Sequence, residues 1–352
     1  LPSHDFLEKE ELEGSHVPIA LPEFSMPDAN PDLYFCAKGK AGLGNRMLAG
    51  ITGWLYSQLS GRIFVPDWSD FTYSNDGTNV FHQLFECEGS VATLPDLAET
   101  SVAPPIWVGH LDKQASHMID ATDPRDHDSA AAWRKYSIDL GRLDYPERYA
   151  MFWSYTQHIK LLRKHFTGAW AEWARLSDEQ IIARVLQRHI LLSAGIRAQV
   201  DAFKAANLPG EIIGVHVRYM DRKASIHDFL KHIDKLHAKR PDAVVFLATD
   251  NKEAEDLIRG RYPRVVTTPK WFPEGGISMH QNPECPDRTN NAIEALIDMY
   301  LLAECDYLIF PGSSTFSKIA SLISKMPRAQ MIDIERYNPR IRIKRFVKSL
   351  LQ

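Results

Sequence analysis

The run Ile212-Ile213-Gly214-Val215-His216-Val217-Arg218-Tyr219-Met220-Asp221 constrains the fold more than any other part of this chain. Ile212 to Val215, with Val217 beyond, are apolar enough to read as a strand buried in a sheet. The run passes straight into His216, Arg218 and Asp221, so a core strand delivers charged groups to its own carboxyl end. In open α/β sheets that edge is where ligands bind. An arginine fixed there is planar and permanently charged, which suits bidentate capture of a phosphate. A merely solvated strand end reads the same way in isolation, so the segments around it decide.

Those segments alternate between strand and helix. Residues 33–37 form a short apolar strand, followed by Lys38-Gly39-Lys40-Ala41-Gly42-Leu43-Gly44-Asn45-Arg46 and a helix over 47–60. Gly61 stands where a helix would end. A strand over 62–66 then runs into Asp67, Trp68, Ser69 and Asp70. Strand, glycine-rich loop, helix and strand make a βαβ unit, hence a parallel sheet with its loops at one edge. Residues 72–150 are rich in Asp, Pro, His and Trp and read as loops and insertions. Residues 151–206 read as helical, most clearly over 155–159 and 179–192. Leu208-Pro209-Gly210 is a hinge candidate. Beyond it come strand 212–217, helix 226–239, strand 243–248, helix 252–259, strand 264–267, a loop over 269–290, helix 292–304, strand 307–310, a loop over 311–315 and helix 316–324. The fold class is therefore α/β, with two Rossmann-type halves and a cleft between them. The divisions are an extended arm over 1–32, an N-terminal domain over 33–207, a C-terminal domain over 208–335 and a basic segment, read as helical, over 336–352.

Composition removes other classes. The 352 residues are 44% hydrophobic and 24% charged, which is ordinary for a globular protein with its own core. A formal net charge of -4 leaves no excess of cations for general nucleic-acid binding. No apolar run approaches the roughly 20 residues that span a bilayer. No signal peptide is visible, although the chain starts at Leu1, which leaves a removed leader or anchor, and with it a Golgi lumenal location, open. Cys36, Cys87, Cys285 and Cys305 are scattered without a CxxC pair and read as reduced packing residues, so a cytoplasmic location is the default. No P-loop, HExxH, nucleophile elbow or DxD pair in loop context stands out, which disfavours the corresponding NTPase, zinc-hydrolase, α/β-hydrolase and metal-dependent sugar-transferase chemistries.

Four places carry candidate chemistry. Gly42, Gly44 and Asn45 lie between strand and helix, where glycines let backbone N–H groups approach an anion at a helix N-terminus; Arg46 can add a charge-assisted contact. Ser313, Ser314 and Thr315 repeat that logic between strand 307–310 and helix 316–324, where a serine also serves as a simple N-cap. Asp298 lies in a helix that is apolar nearly all round, so its carboxylate must be paired or ligand-bound. It can accept from guanine N1–H and the 2-amino group, or form an internal salt bridge. Asp250 ends strand 243–248 at the same sheet edge and is either a site residue or the cap of the next helix. Trp107, His110, Trp133, Tyr136 and Trp153 suit stacking on sugars as well as core packing, and none is assigned a role.

The segments VHVRYMD, VVFLATD and ALIDMYLLAECDYLIFPGSSTFSKIA, in this order and spacing, resemble the C-terminal half of the α-1,6/α-1,2-type and protein O-fucosyltransferases. Among these the likeness is greatest to the rhizobial Nod-factor (chitooligosaccharide) α-1,6-fucosyltransferases, and GLGNRM followed by SGRIFVPDW is similar to their opening. The resemblance covers roughly residues 33–70 and 210–325. It implies a GT-B fold, with the domain over 33–207 as the acceptor side and that over 208–335 as the nucleotide-sugar-binding side, a GDP-fucose donor and an inverting transfer that needs no metal or other cofactor. Arg218 would grip the β-phosphate, His216 and Asp298 would lie at the nucleoside end, Ser313, Ser314 and Thr315 would touch phosphate, and Gly42 to Asn45 would close over the donor. The partners implied are a GDP-sugar and an oligosaccharide or other glycan.

The chain also departs from that family. Tyr219 stands where a second basic residue is frequent, and Ile226 where relatives place a glutamate proposed as base. Asp70, Asp221 and Asp228 are then the candidates for the base. Another nucleotide sugar, or a non-catalytic nucleotide- or glycan-binding protein on the same fold, remain as alternatives. The basic tail around Arg340, Arg342, Lys344, Arg345 and Lys348 reads as a packed terminal helix or as a peripheral membrane contact.

Overall fold

The computed structural model describes residues 30–122, 130–218, 226–271 and 284–336. The arm over 1–29 and the basic tail beyond Arg336 lie outside the described residues, as do Tyr219 and Asp221. Two parallel sheets form the frame. The first has the order Arg62–Asp67, Asn30–Lys38, Tyr149–Trp153, Val102–Ala103. The second has the order Met331–Asp333, Tyr307–Phe310, Ile212–Val217, Val244–Thr249, Val265–Val266. This is a mixed α/β, GT-B architecture. Among the described residues no helix is long and apolar enough to cross a membrane.

The helices between the sheets make the halves one body. Leu43–Ser60 packs on Thr315–Ile323 and on Asp178–Arg188, and Thr315–Ile323 packs on Arg288–Ala303. Phe35, Trp54, Ile182, Leu296 and Ile319 belong to one apolar cluster that runs through all of them. The outer faces carry separate clusters, one around Cys36, Val65 and Met151 and another around Val215, Leu247 and Ile258. Period-two alternation decides which way each strand residue points. Ile213, Val215 and Val217 face the outer cluster, so Ile212, Gly214 and His216 face the inner helices. A Cβ on Gly214 would meet the Cys305 Sγ at 2.8 Å, so glycine is what lets the helix end pack there. All four cysteines are free and buried.

The structure moves several boundaries. The first strand starts at Asn30, inside the stretch assigned to the arm. The first helix starts at Leu43, one turn earlier than read, and ends at Gly61 with φ 66°. Tyr149–Trp153 is a fully buried strand that straddles the stretch read as loops and the stretch read as helical from 151. Five apolar residues buried on both faces carry no period by which to tell strand from helix. Of the segment over 155–159 only Ile159 is helical, as the start of Ile159–Leu162: Ser154 Oγ accepts from the Thr156 amide (3.1 Å) and Gln157 Oε1 from the Ile159 amide (2.7 Å). Such side-chain bonds compete with helical ones. The next long helix spans Asp178–Arg188, closed by a Ser177/Gln180 capping box, and Leu191–Leu192 turns away to pair with Phe85–Glu86. Leu208-Pro209-Gly210 is a connection, with Gly210 at φ 77°.

Candidate functional site

His216 and Arg218 stand at the carboxyl end of the Ile212–Val217 strand. His216 is 6% exposed, its ring stacked on Phe316 at 4.9 Å, and its Nδ1 has no hydrogen-bond partner among the described residues. Burial, then the charges of Arg218 and Lys270, push its pKa down to about 3. A neutral, buried imidazole with an unsatisfied nitrogen suits a ligand's polar edge. Arg218 is half-buried, and its charge is also felt by Tyr73 of the other half, so it lies where the halves meet.

The two helix N-termini meet there as well. Gly42 is the N-cap of the Leu43–Ser60 helix, so Gly44 and Asn45 lie in its first turn. The left-handed residue of this loop is Ala41 (φ 64°), not a glycine. The glycines serve close approach instead. A Cβ on Gly44 would sit 2.7 Å from the Thr315 carbonyl carbon and oxygen and 2.8 Å from the Phe316 nitrogen. The first turn of Leu43–Ser60 is thus pressed on the first turn of Thr315–Ile323, and two positive helix ends share one place. Gly44→Ala forces backbone apart and is expected to cost about 1–3 kcal/mol. Gly50→Ala in the same helix meets nothing within 4 Å and should stabilise by about 0.5–1 kcal/mol. Denaturant unfolding of both variants checks this; equal losses would contradict the seam.

The serine loop is partly occupied by the chain itself. Glu335 accepts from the Ser313 amide (2.7 Å) and hydroxyl (2.8 Å), and Asp333 from the Gly312 amide (2.8 Å). Ser313 is therefore engaged by the chain itself, because one carboxylate at the end of the Met331–Asp333 strand and one just beyond it fill the amide nest. Ser314 is the N-cap residue and makes no side-chain cap bond, and Thr315 opens the helix.

Asp298 is paired, and by a residue that sequence reasoning missed. Its Oδ1 accepts from Thr268 Oγ1 at 2.6 Å and its Oδ2 from the Lys270 ammonium, with side chains 8% and 3% exposed for Asp298 and Lys270. The internal salt bridge weighed for Asp298 thus exists, with a lysine. The signal for Lys270 was present: it is the sole cation between Arg264 and Arg288, just past a strand of the same sheet. Asp250 follows the Val244–Thr249 strand at that edge, but Asn251 caps the next helix, accepting from the Ala254 amide at 2.8 Å.

The base candidates are placed unequally. Asp70 is ion-paired to the fully buried Arg46 and accepts from the Thr72 amide and hydroxyl. Arg46 is held by its own loop: its Nε donates to the Ala41 carbonyl and its guanidinium lies 5.2 Å from the Tyr73 ring. The loop carrying Asp70 and Tyr73 is buckled to the helix that carries Asp298: the Arg288 amide donates to Asn75 Oδ1 (2.9 Å) and Thr289 Oγ1 to the Tyr73 carbonyl (3.0 Å). Burial, opposed by Arg46, holds the Tyr73 hydroxyl up at about 12. Asp228 is exposed in the first turn of Ile226–His237, a favourable place for any acid at a helix N-terminus. Asp221 lies outside the described residues. Trp107, Tyr136 and Trp153 are core residues, Trp133 stacks on His158 at 4.5 Å, and His110 is exposed.

Neutral histidines, one buried and two half-buried, give the fold a pH dependence. Burial pushes His158 and His189 down to about 4, as it does His216 to about 3, from an ordinary 6.5. Between those values the unfolded chain binds protons that the folded chain does not, so stability is complete above 6.5 and falls as pH drops through the window. The melting temperature should begin to fall below about pH 6.5, ahead of the carboxylate range near 4. A flat profile from about pH 7 to 5 would contradict this.

Residues 171–344 match the family model described as Nodulation protein Z (NodZ). Nodulation protein Z of Azorhizobium caulinodans is 26% identical over 313 residues, covering 82% of this chain and 88% of that protein. That of Sinorhizobium fredii is 24% identical over 327 residues, covering 86% and 93%. A crystal structure of NodZ α-1,6-fucosyltransferase soaked with GDP-fucose superposes with a TM-score of 0.55 at 25% identity, covering 83% of this chain and 93% of that one. The chain is thus similar to NodZ proteins over most of its length. The NodZ match spans His216, Arg218, Lys270, Asp298 and the serine loop, whereas Gly42 to Asn45 and Asp70 come from the N-terminal half that it does not include. Among the described residues no three His, Cys, Asp or Glu side chains gather as metal ligands.

Proposed function

We propose that this chain is an inverting, metal-independent glycosyltransferase that moves fucose from GDP-fucose to a glycan hydroxyl. The observation that carries the reading is the meeting of Arg218, two helix N-termini and the His216–Lys270–Asp298 group at one sheet edge of a NodZ-like GT-B chain. Arg218 and the first-turn amides of Thr315–Ile323 would hold the diphosphate, and Asp298 with His216 the base. As the acceptor oxygen attacks the anomeric carbon, the C1–O bond to the diphosphate breaks and negative charge grows on the leaving oxygens. A fixed arginine and helix-end amides stabilise that charge without reorganising. The sugar passes through an oxocarbenium-like state, as in other glycosyl chemistry.

The group that takes the acceptor proton is a separate assignment. Asp70 is committed to Arg46 and Asp228 is exposed, so the proposal rests on leaving-group stabilisation and not on either as base. A thermal-shift series with GDP, UDP, ADP and CMP, run with EDTA present, tests the donor class. GDP should stabilise selectively, by about 2.7 kcal/mol at a hundred times its Kd. Stronger stabilisation by UDP or CMP, or a metal requirement, would sink the reading; binding of GDP with no transfer to any glycan would favour a binding protein on this fold.

A further inference from the structure

We propose that Lys270 is a specificity-determining residue for the donor's base: its ammonium donates to guanine O6 while the two Asp298 oxygens accept from N1–H and the 2-amino group. The proposal rests on the GDP reading above and adds to it a residue and a register. Asp298 is held at both oxygens from different sides, Oδ1 by Thr268 Oγ1 at 2.6 Å and Oδ2 by Lys270. Each carboxylate oxygen has a further lone pair, so a base edge can still dock on it. The order along the cluster is then donor, acceptor, acceptor: Lys270 Nζ, Asp298 Oδ2, Asp298 Oδ1. Guanine offers the complementary acceptor, donor, donor in O6, N1–H and the 2-amino group. Adenine meets the ammonium with an amino group and the carboxylate with a lone pair, and uracil turns a carbonyl toward Oδ1. A site built on such pairings rejects the wrong partner strongly, because its buried polar groups are left unmatched.

Two observations separate this from an ordinary counter-ion. Both charges are almost fully removed from water, and a buried ion pair is a poor source of net stability compared with apolar residues of the same size. Beside it stands His216, buried, stacked on Phe316 and with Nδ1 unsatisfied among the described residues, within electrostatic reach of Lys270. A cluster that needs one more polar partner and already holds a donor–acceptor–acceptor array fits a heterocyclic base edge.

The test is calorimetric titration of the full chain with GDP, 6-thio-GDP and IDP. Sulfur at position 6 weakens the acceptor while keeping N1–H and the 2-amino group; inosine removes only the 2-amino group. The wild type should bind GDP at least about tenfold more tightly than 6-thio-GDP, a charge-assisted bond's share. In Lys270→Met that ratio should collapse toward one, while the GDP/IDP ratio, which reads Asp298 Oδ1, is retained. A purely structural lysine would lower affinity for all three ligands alike and leave every ratio intact. Equal wild-type binding of GDP and 6-thio-GDP, or an unchanged ratio in Lys270→Met, overturns the proposal. Should Lys270→Met fail to fold, the wild-type GDP/6-thio-GDP ratio decides with IDP as control. Failure of the wild type to bind GDP at all overturns the donor reading itself.

Discussion

Arg218→Ala should lower kcat/KM for transfer from GDP-fucose by about 10²–10³-fold, the cost of removing one preorganised donor to developing charge. Its effect on folding should be small, within about 0.5–1 kcal/mol, because the side chain is half-buried at the seam rather than in the apolar clusters. Arg218→Lys should recover little. A lysine keeps the charge but loses the planar fork that can grip two oxygens of one diphosphate. The comparison of kcat with KM is informative as well. If the arginine acts on the leaving charge, kcat falls along with kcat/KM; if it only anchors the ground state, KM rises alone. Steady-state kinetics on the three proteins distinguishes these, and wild-type kcat in Arg218→Ala would remove Arg218 from the chemistry.

The second large effect is on folding. Asp298→Ala takes from the Lys270 ammonium, 3% exposed, its ion-pair partner, and breaking a buried pair in this way costs about 3–5 kcal/mol. The double variant Asp298→Leu with Lys270→Met removes both charges at once and should recover most of that stability. It should not recover nucleotide binding, since neither the acceptors nor the donor for the base remain. Chemical denaturation of the single and double variants, with GDP titrations on whichever folds, separates the two roles of the pair. Full GDP affinity in the double variant would show that the base is read elsewhere.

How much of this was legible beforehand varied with the kind of interaction. The Ile212–Val217 strand and its polar end were readable because apolar run, period and charge all changed within ten residues. The helix with Asp298 was readable as buried, which is why a partner was required for it. The partner was marked only as a lone cation past the Val265–Val266 strand; the pairing itself was not legible, because Lys270 is joined to Asp298 by tertiary packing across 28 residues. The same holds for the Arg46–Asp70 pair, the Asn75–Arg288 buckle and the carboxylates on Gly312 and Ser313. Each depends on which loop folds over which, and no local pattern records that. The glycines of the first loop illustrate the limit well. They read as room for backbone N–H groups to approach an anion, whereas Gly44 makes room for the opposite half's Thr315, and the loop's positive φ falls on Ala41. The strand at Tyr149–Trp153 was lost for the reverse reason, that a doubly buried strand has no amphipathic signature.

The account stands most directly on what happens to GDP-fucose itself. Purified protein with GDP-fucose, EDTA and a panel of glycan acceptors that includes chitooligosaccharides should release GDP in step with a fucosylated product of inverted anomeric configuration. No product from GDP-fucose while another nucleotide sugar is turned over, or a product that retains configuration, would contradict it.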